Sequence, residues 1–409
     1  MKKFLAMILA LVMALSLVAC GGNETPATDD QQGDDANTEV TYKVAMITDY
    51  GDITDQSFNQ TTYEACKAFC EANSVEFSYF KPAGDSTAER VAMIEKAADE
   101  GYNVMVMPGY AFGGAIVEAA PQFPEVKFIA LDVAKGDLLE AGVAAKGESY
   151  DYNPDNWNLA DYVDMTNVYC AIYQEELSGY MAGYAAVKLG YTQLGFLGGM
   201  AVPAVVRYGY GFVQGADAAA VEMGLTDVNV NYIYGGLFYG TADITAVMDT
   251  WYANGTEVVF ACGGGIYTSA VDAAKKVEGA KVIGVDVDQA GVITNYAETE
   301  GMVVTSAMKG LYPATYDTLT DVIINGNWAN YAGKIETLGL VSGDDPEANY
   351  VQIPMGEGTQ WSDTFTVDNY KALVKAMFDG SLVVSNDVSK AAADFATVIT
   401  VDEQGQIVG

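Results

Sequence analysis

Short apolar segments alternate with longer amphipathic segments over residues 43–132. The apolar segments lack a clean in–out alternation, which is typical of parallel strands covered on both faces. A strand followed by a helix, repeated several times, predicts a parallel sheet flanked by helices. The predicted strands lie at about 43–48, 75–80, 103–107 and 127–132, and the predicted helices at about 57–73, 86–100 and 112–120.

A second alternation of similar size follows residues 135–165, where Gly, Asn, Pro and aromatic residues break the rhythm and predict a long irregular excursion. Two similar α/β halves, crossed more than once by the chain, predict two lobes with a ligand cleft between their strand-end loops. The further predicted strands lie at about 169–173, 193–197, 228–233, 257–261, 281–285 and 302–306, and the further helices at about 174–189, 207–223, 242–253, 268–276, 311–325 and 367–378.

The loop after the first strand carries many short polar residues between positions 49 and 59. Open α/β folds bind ligands where such a loop joins the carboxyl end of a strand to the start of a helix. We therefore expect Asp49 and Phe58 to face a small ligand. The alternative is that Asp55 or Ser57 merely caps the helix and that Phe58 packs in the core.

The amino-terminal residues predict a leader and not a fold element. Two lysines precede an apolar run that ends at Cys20, as in a secretory signal peptide over residues 1–20. The sequence Leu-Val-Ala-Cys before two glycines resembles the bacterial lipobox, so we expect Cys20 to carry the lipid that anchors the chain to the extracytoplasmic face of a cell membrane. Residues 21–40 are almost entirely polar and predict a flexible tether.

Composition narrows the function classes. The 409 residues contain no histidine and carry a formal net charge of −35. Neither a metal nor another cofactor is expected, because histidine is the commonest metal ligand and the chain offers no complete cysteine site. Nucleic-acid binding is disfavoured because phosphate backbones repel so acidic a chain. No nucleophile elbow or phosphate-binding loop is present, so we expect no enzyme; a paired-carboxylate hydrolase using Asp49, Asp132 and Asp286 is the alternative.

Seven segments, in order, resemble one family, the basic membrane lipoprotein group of ABC-transporter substrate-binding proteins, which includes purine-nucleoside receptors. They include Asp-Gln-Ser-Phe-Asn-Gln at the first loop and Gly-Val-Asp-Val-Asp-Gln late in the chain. The seven segments occupy residues 55–60, 124–132, 179–186, 194–199, 207–215, 283–289 and 305–309.

The resemblance implies a type I periplasmic-binding-protein fold, in which a hinge joins two lobes around a nucleoside. It also implies an ABC permease and its ATPase as partners. We place the first lobe at residues 41–168 and 287–345 and the second at 169–286 and 346–409. A receptor of the same fold for a sugar or a signalling molecule, feeding a permease or a sensor, is the alternative function.

The resemblance also implies roles for individual residues. Position by position, it implies ligand contacts for Asp49, Phe58, Asn59, Asp132, Phe238, Asp286 and Lys309. Phe238 is expected to oppose Phe58 across a flat base, with Tyr234 and Tyr239 as rivals for that place. The structural alternatives are a turn former for Asp286, a helix cap for Asp132, a surface or neutralising lysine for Lys309 and a core position for Phe238.

Overall fold

Two sheets organise the protein in the computed structural model, which describes residues 41–409. The predicted signal peptide, Cys20 and the predicted tether lie outside the described residues. The strands are β1 (Lys43–Ile47), β2 (Glu76–Phe80), β3 (Val104–Pro108), β4 (Lys127–Leu131), β5 (Val168–Tyr173), β6 (Gln193–Gly198), β7 (Asn229–Tyr234), β8 (Val258–Cys262), β9 (Lys281–Asp286), β10 (Val303–Lys309), β11 (Lys334–Leu338), β12 (Val351–Gln352) and β13 (Thr400–Gln406).

Helices alternate with these strands and cover the sheets. They are α1 (Phe58–Asn73), α2 (Thr87–Asp99), α3 (Phe112–Ala119), α4 (Lys135–Ala145), α5 (Glu175–Lys188), α6 (Pro203–Met223), α7 (Ala242–Ala253), α8 (Tyr267–Ala274), α9 (Ala290–Ala297), α10 (Leu311–Leu319, continued as a π-turn to Ile324) and α11 (Val367–Phe378). Among residues 41–409, no helix has the length and apolarity needed to cross a membrane.

The two sheets share one strand order. The first runs β11-β5-β4-β3-β1-β2 and is parallel throughout. The second runs β12-β10-β9-β8-β6-β7-β13, with only the short β12 antiparallel to its neighbour. Each sheet separates two apolar core clusters, which explains why most strand residues are buried and why their sequences lack alternation. The predicted mixed α/β fold with parallel sheets is confirmed.

The chain crosses between the sheets after β5, after β10 and after β11. These crossings are hydrogen-bonded to one another: the Gln174 N–H donates to the Leu338 carbonyl at 3.0 Å, and the Gly310 N–H to the Tyr350 carbonyl at 2.6 Å. The crossings therefore form a paired hinge between two lobes. Lys309 and Glu175 lie at this hinge, one at the end of β10 and the other at the start of α5.

Strand pairing corrects the predicted lobe boundaries in two places. β5 was expected to begin the second lobe, but it pairs with β4 and β11 in the first sheet. β10 was expected in the first lobe, but it pairs with β9 and β12 in the second sheet. The physical reason is that each sheet gains a fifth parallel strand before the chain crosses, so the hinge follows β5 and β10 instead of preceding them.

The predicted irregular excursion contains a helix, α4, in its first third. Its glycines lower its helix propensity, but Leu138, Leu139 and Val143 are buried, and Leu138 packs in the core cluster on one face of the first sheet. The Asp137 carboxylate accepts the Ala134 N–H at 2.7 Å and caps the helix start. Gly142 is required by close packing, because a Cβ there would lie 3.0 Å from the Tyr162 carbonyl oxygen. The remainder of the stretch forms turns that fold over α4.

Candidate ligand-binding site

A cavity of about 510 Å³ lies between the carboxyl ends of the two sheets. This volume is within the usual range for small-molecule sites. The first lobe contributes Asp49, Tyr50, Gly51, Asp52, Thr54, Asp55, Phe58, Asn59, Gly109, Tyr110, Asp132 and Ala134; the second contributes Val202, Pro203, Ala204, Val205, Arg207, Tyr208, Phe238, Tyr239, Gly240, Cys262, Gly263, Gly264, Gly265, Tyr267, Thr268, Val285, Asp286 and Lys309.

All seven residues expected from the sequence to contact a ligand line this cavity. Each lies in or beside a strand-end loop: after β1 or at the start of α1, after β4, after β7, or at the ends of β9 and β10. The structure therefore brings together Asp49, Phe58, Asn59, Asp132, Phe238, Asp286 and Lys309. Their contact with a ligand stays a prediction.

A buried charge cluster forms the floor of the cavity. The Lys309 ammonium lies 2.5 Å from an Asp132 oxygen, 3.5 Å from Glu175 and 3.8 Å from Asp286. Arg207 donates to the other Glu175 oxygen at 2.7 Å. Burial lowers the pKa of Lys309, but the three carboxylates outweigh it and the net shift is upward. Lys309 therefore remains charged and neutralises acids from both lobes.

Asp286 is held from both lobes. Ser57 of the first lobe donates to Oδ2 at 2.5 Å, and Tyr208 of the second lobe donates to Oδ1 at 3.4 Å. Burial raises the pKa of Asp286, whereas Lys309 and the Ser57 hydrogen bond lower it; the net shift is upward. Asp286 is also in the left-handed region, with φ 66°, a conformation that costs a non-glycine residue about 1–3 kcal/mol and is typical of functional sites.

Asp49, another lining residue, is fixed by its own loop. Its Oδ1 accepts the backbone N–H groups of Tyr50 and Gly51 at 2.6 and 2.9 Å. Its carboxylate lies against Gly109, where a Cβ would approach Oδ2 to 2.3 Å. Burial raises the pKa of Asp49 to about 6, because it outweighs these backbone hydrogen bonds.

Two acceptor atoms in the cavity lining are buried and unpartnered. Within residues 41–409, neither Asp132 Oδ1 nor Asn59 Oδ1 has a hydrogen-bond partner. A buried acceptor without a partner costs about 1–3 kcal/mol, so nearly all such groups in folded proteins are paired. Both residues line the cavity, so a ligand with hydroxyl or amino donors is a candidate partner for these atoms.

The cavity has aromatic residues from both lobes. Phe238 was expected to oppose Phe58 across a flat base, and this stays a prediction; the ring nearest to Phe238 across the cleft is Tyr50, with centroids 6.4 Å apart and planes inclined by 24°. The Phe58 ring lies over the Lys309 ammonium, whose nitrogen is 4.7 Å from the ring centroid. The cavity therefore has two separate aromatic walls.

The rivals to Phe238 are also separated by the structure. Tyr239 lines the cavity but is 59% exposed. The hydroxyl groups of Tyr234 and Tyr232 are hydrogen-bonded at 3.0 Å, and the Tyr234 ring packs edge-on against the core ring of Phe196. Of the three aromatic residues considered, Phe238 and Tyr239 line the cavity and Tyr234 does not.

Sequence reasoning missed Tyr50, Arg207, Tyr208 and the buried Glu175. Tyr50 directly follows Asp49, so its position in the loop was a usable signal. Arg207 and Tyr208 lie one turn inside α6, and Glu175 opens α5; their convergence on Lys309 depends on the hinge and has no local signal.

Two hinged parallel sheets with a polar and aromatic cleft at their carboxyl ends define a two-lobed solute-binding protein. The sequence profile of "Bmp: ABC transporter substrate-binding protein PnrA-like" matches residues 42–343. The chain therefore belongs to the Bmp family of PnrA-like ABC transporter substrate-binding proteins. The predicted family is confirmed, and it is a family of substrate-binding proteins and not of enzymes.

Relatives and solved structures agree with this assignment. The chain is 26% identical over 301 residues to "ABC transporter nucleoside-binding protein BmpA" of Lactococcus lactis subsp. cremoris, covering 71% of this chain and 75% of that one. It is 25% identical over 347 residues to an uncharacterised lipoprotein of Pyrococcus horikoshii, covering 83% and 76%. The fold is similar to an ABC transporter solute-binding protein from Conexibacter woesei, with a TM-score of 0.60, 21% identity and coverage of 84% and 99%.

Proposed function

We propose that this substrate-binding protein captures a nucleoside, preferably a purine nucleoside, between its two lobes and delivers it to an ABC importer. The observation that supports this most is the pair of unpartnered acceptors, Asp132 Oδ1 and Asn59 Oδ1, in a cavity that also has aromatic walls. A nucleoside supplies ribose hydroxyl donors at one end and a flat base at the other. The name of the Lactococcus lactis relative supports the same ligand class.

The chemistry of the lining divides between these two parts of the ligand. Carboxylates accept strong hydrogen bonds from vicinal hydroxyls, so the ribose is assigned to the acids beside Lys309. Aromatic rings stack on a base and exclude water from its faces, so the base is assigned to Phe58 and Phe238. Because the lining residues come from both lobes, only the closed form makes every contact, and binding shifts the open–closed equilibrium toward it.

The charge of the lining favours an uncharged ligand over a phosphorylated one. Two cationic side chains line the cavity, Arg207 and Lys309, and both are already paired with carboxylates. Five acids line it as well: Asp49, Asp52, Asp55, Asp132 and Asp286. A phosphate group would therefore meet net repulsion at close range.

The proposal includes an extracytoplasmic location. Cys20 carries the lipid anchor, residues 21–40 form the tether, and the membrane contact is made through the lipid alone. The lipoprotein name of the Pyrococcus horikoshii relative supports anchoring. In the closed form, the lobes present a surface to the permease, and the associated ATPase drives import.

Titration calorimetry of the purified full-length protein tests the ligand class. The panel contains purine and pyrimidine nucleosides, the free bases, ribose, hexoses and nucleoside 5′-monophosphates. We expect the nucleosides to bind and the monophosphates to bind at least tenfold more weakly. Binding of a hexose without binding of any nucleoside would reject the nucleoside proposal and would favour the sugar-receptor alternative.

A further inference from the structure

A pair of hydrogen bonds joins the two lobes beside the cavity. The Gln289 side-chain Nε2 of the second lobe donates to the Gln56 carbonyl of the first lobe at 3.0 Å. The next residue of the first lobe, Ser57, donates to Asp286 at 2.5 Å. We call these two bonds the lobe latch. Gln56, Ser57 and Gln289 do not line the cavity, so none of the three is placed to contact a ligand there.

The second-lobe half of the latch is held rigidly. Gln289 is fully buried, and its Oε1 accepts the Val285 N–H at 3.0 Å. Its own backbone N–H donates to the Ser306 hydroxyl at 3.1 Å. Because the amide oxygen is hydrogen-bonded within its own lobe, the Nε2 group already points toward the other lobe. Little side-chain entropy is therefore lost when Nε2 bonds to Gln56.

The first-lobe half is also built for this contact. Gln56 is in the left-handed region, with φ 56°, although it is not a glycine. Its side chain donates to Gln60 at 2.7 Å, and Gln60 also accepts the Gln56 N–H at 3.2 Å. These bonds hold a strained backbone whose carbonyl faces Gln289. Strain that is maintained by surrounding bonds is a feature of functional segments.

We propose that Gln289 is a positioning residue that stabilises the closed form without touching the ligand. With Ser57, it holds the turn that carries Asp286 against the first lobe. One Asp286 oxygen is thereby assigned to Ser57, which leaves the oxygen near Tyr208 and Lys309 for the ligand. The latch therefore raises the closed population of the empty protein, slows ligand release and lowers the apparent dissociation constant.

Three full-length variants separate the latch from local effects. Gln289→Glu keeps an acceptor for Val285 but removes the donor to Gln56. Gln289→Met has similar size and no charge, which controls for repulsion from the new carboxylate. Gln360→Glu is the matched control, because Gln360 Nε2 donates at 3.0 Å to the Val303 carbonyl of its own lobe.

Small-angle X-ray scattering of the ligand-free proteins gives the first result. We expect a larger radius of gyration for both Gln289 variants than for the parent and for Gln360→Glu. An unchanged radius of gyration for Gln289→Glu would overturn the proposal, because this variant loses the donor to Gln56. Expansion of Gln289→Met alone would then be explained by loss of the hydrogen bond from the Val285 N–H. This result does not depend on which ligand binds.

Stopped-flow dissociation of the tightest nucleoside gives the second result and rests on the proposed function. One net hydrogen bond corresponds to a factor of up to about ten, so we expect release about tenfold faster from both Gln289 variants and unchanged from Gln360→Glu. If no nucleoside binds the parent, the proposed function fails while the scattering result still decides the latch. Equal release rates in all variants would overturn the latch.

Discussion

The two lobes repeat one backbone design and place different chemistry on it. Counting each lobe's own strands, both have the order five-four-three-one-two. In both, a left-handed aspartate stands where the fourth strand ends: Asp132 with φ 61° and Asp286 with φ 66°. In both, a glycine of positive φ follows the third strand: Gly109 at 129° and Gly263 at 150°. The fold and its strained positions are therefore shared.

The difference lies in what each glycine leaves room for. A Cβ on Gly109 would approach the Asp49 carboxylate to 2.3 Å, whereas a Cβ on Gly263 would approach the Phe238 ring to 2.9 Å. The same local backbone thus admits an acid in the first lobe and an aromatic ring in the second. The repeated backbone determines which positions face the ligand in each lobe. The side chains at those positions differ, so the cleft can bind a ligand that has a polar part and a flat part.

The largest expected effect comes from removing the cation that joins the lobes. Lys309→Met leaves acids of both lobes buried without their common partner, so we expect a loss of about 3–5 kcal/mol in unfolding free energy and loss of ligand binding. Urea unfolding and calorimetry measure both. Lys276→Met, which breaks an exposed pair with Asp249, is the control and should cost less than about 1 kcal/mol. Equal costs for the two variants would show that the buried cluster has no special role.

The next effect tests whether the two glycines have parallel roles. Gly109→Ala and Gly263→Ala should each weaken nucleoside binding by more than about tenfold, because the added Cβ displaces Asp49 or Phe238. Gly279→Ala is a matched control, since Gly279 has φ 83° but no neighbour within 4 Å of the added Cβ. Gly279→Ala should lower the thermal unfolding temperature through backbone strain and have no further effect. Loss of affinity in one cleft variant alone would break the parallel between the lobes.

A pH-dependent effect is expected at Glu176 in the second lobe. Burial, aided by the Glu175 charge, raises its pKa from 4.5 to about 7, and Oε2 has no partner among residues 41–409. The folded state therefore holds the proton to higher pH than the unfolded state, so this group makes stability fall as pH rises from about 4.5 to 7. Glu176→Gln should remove that loss and be more stable at pH 8 by as much as about 3 kcal/mol, but not at pH 4. Urea midpoints at both pH values measure it; the same difference at both would contradict the assignment.

The smallest effect concerns Tyr50, the first-lobe ring that meets Phe238. Its hydroxyl contacts the Tyr110 hydroxyl at 3.4 Å and Met200 Sδ at 3.3 Å, both weak geometries. Tyr50→Phe keeps the ring, so we expect less than about a threefold change in affinity by calorimetry. Tyr50→Ala removes the ring and should cost about tenfold. A larger effect for the phenylalanine variant would mean that the hydroxyl itself contacts the ligand.

Local patterns predicted most of the fold, and the reasons for the exceptions are physical. The bounds of α1, α7 and α11 follow from apolar periodicity and agree with the structure within a residue. β13 was not predicted, because it is an exposed edge strand of mostly polar residues that gains its stability by pairing with β7. The residues of β13 alone do not indicate that β7 is their partner, because the two strands are far apart in the chain.

The candidate site also has a part that local sequence predicted and a part that it did not. Strand-end position explains why Asp49 and Asp132 reach one cavity, because parallel strands end at the same edge of a sheet, whereas Asp286 comes from the other sheet and was expected from the family resemblance. The pairing of Phe238 with Tyr50 depends on how the lobes close, and the placement of Glu175 depends on the hinge. Such relations join residues that are far apart in the chain, so spacing alone could not predict them.

A crystal structure of the protein with a bound purine nucleoside would show directly whether both lobes hold the ligand. We expect a closed cleft with the ribose hydroxyls at Asp132 and Asp286 beside Lys309, and the base against Phe58 and Phe238. A nucleoside bound to one lobe only, or outside the cavity, would contradict the claim that the two unlike lobes together form the binding site.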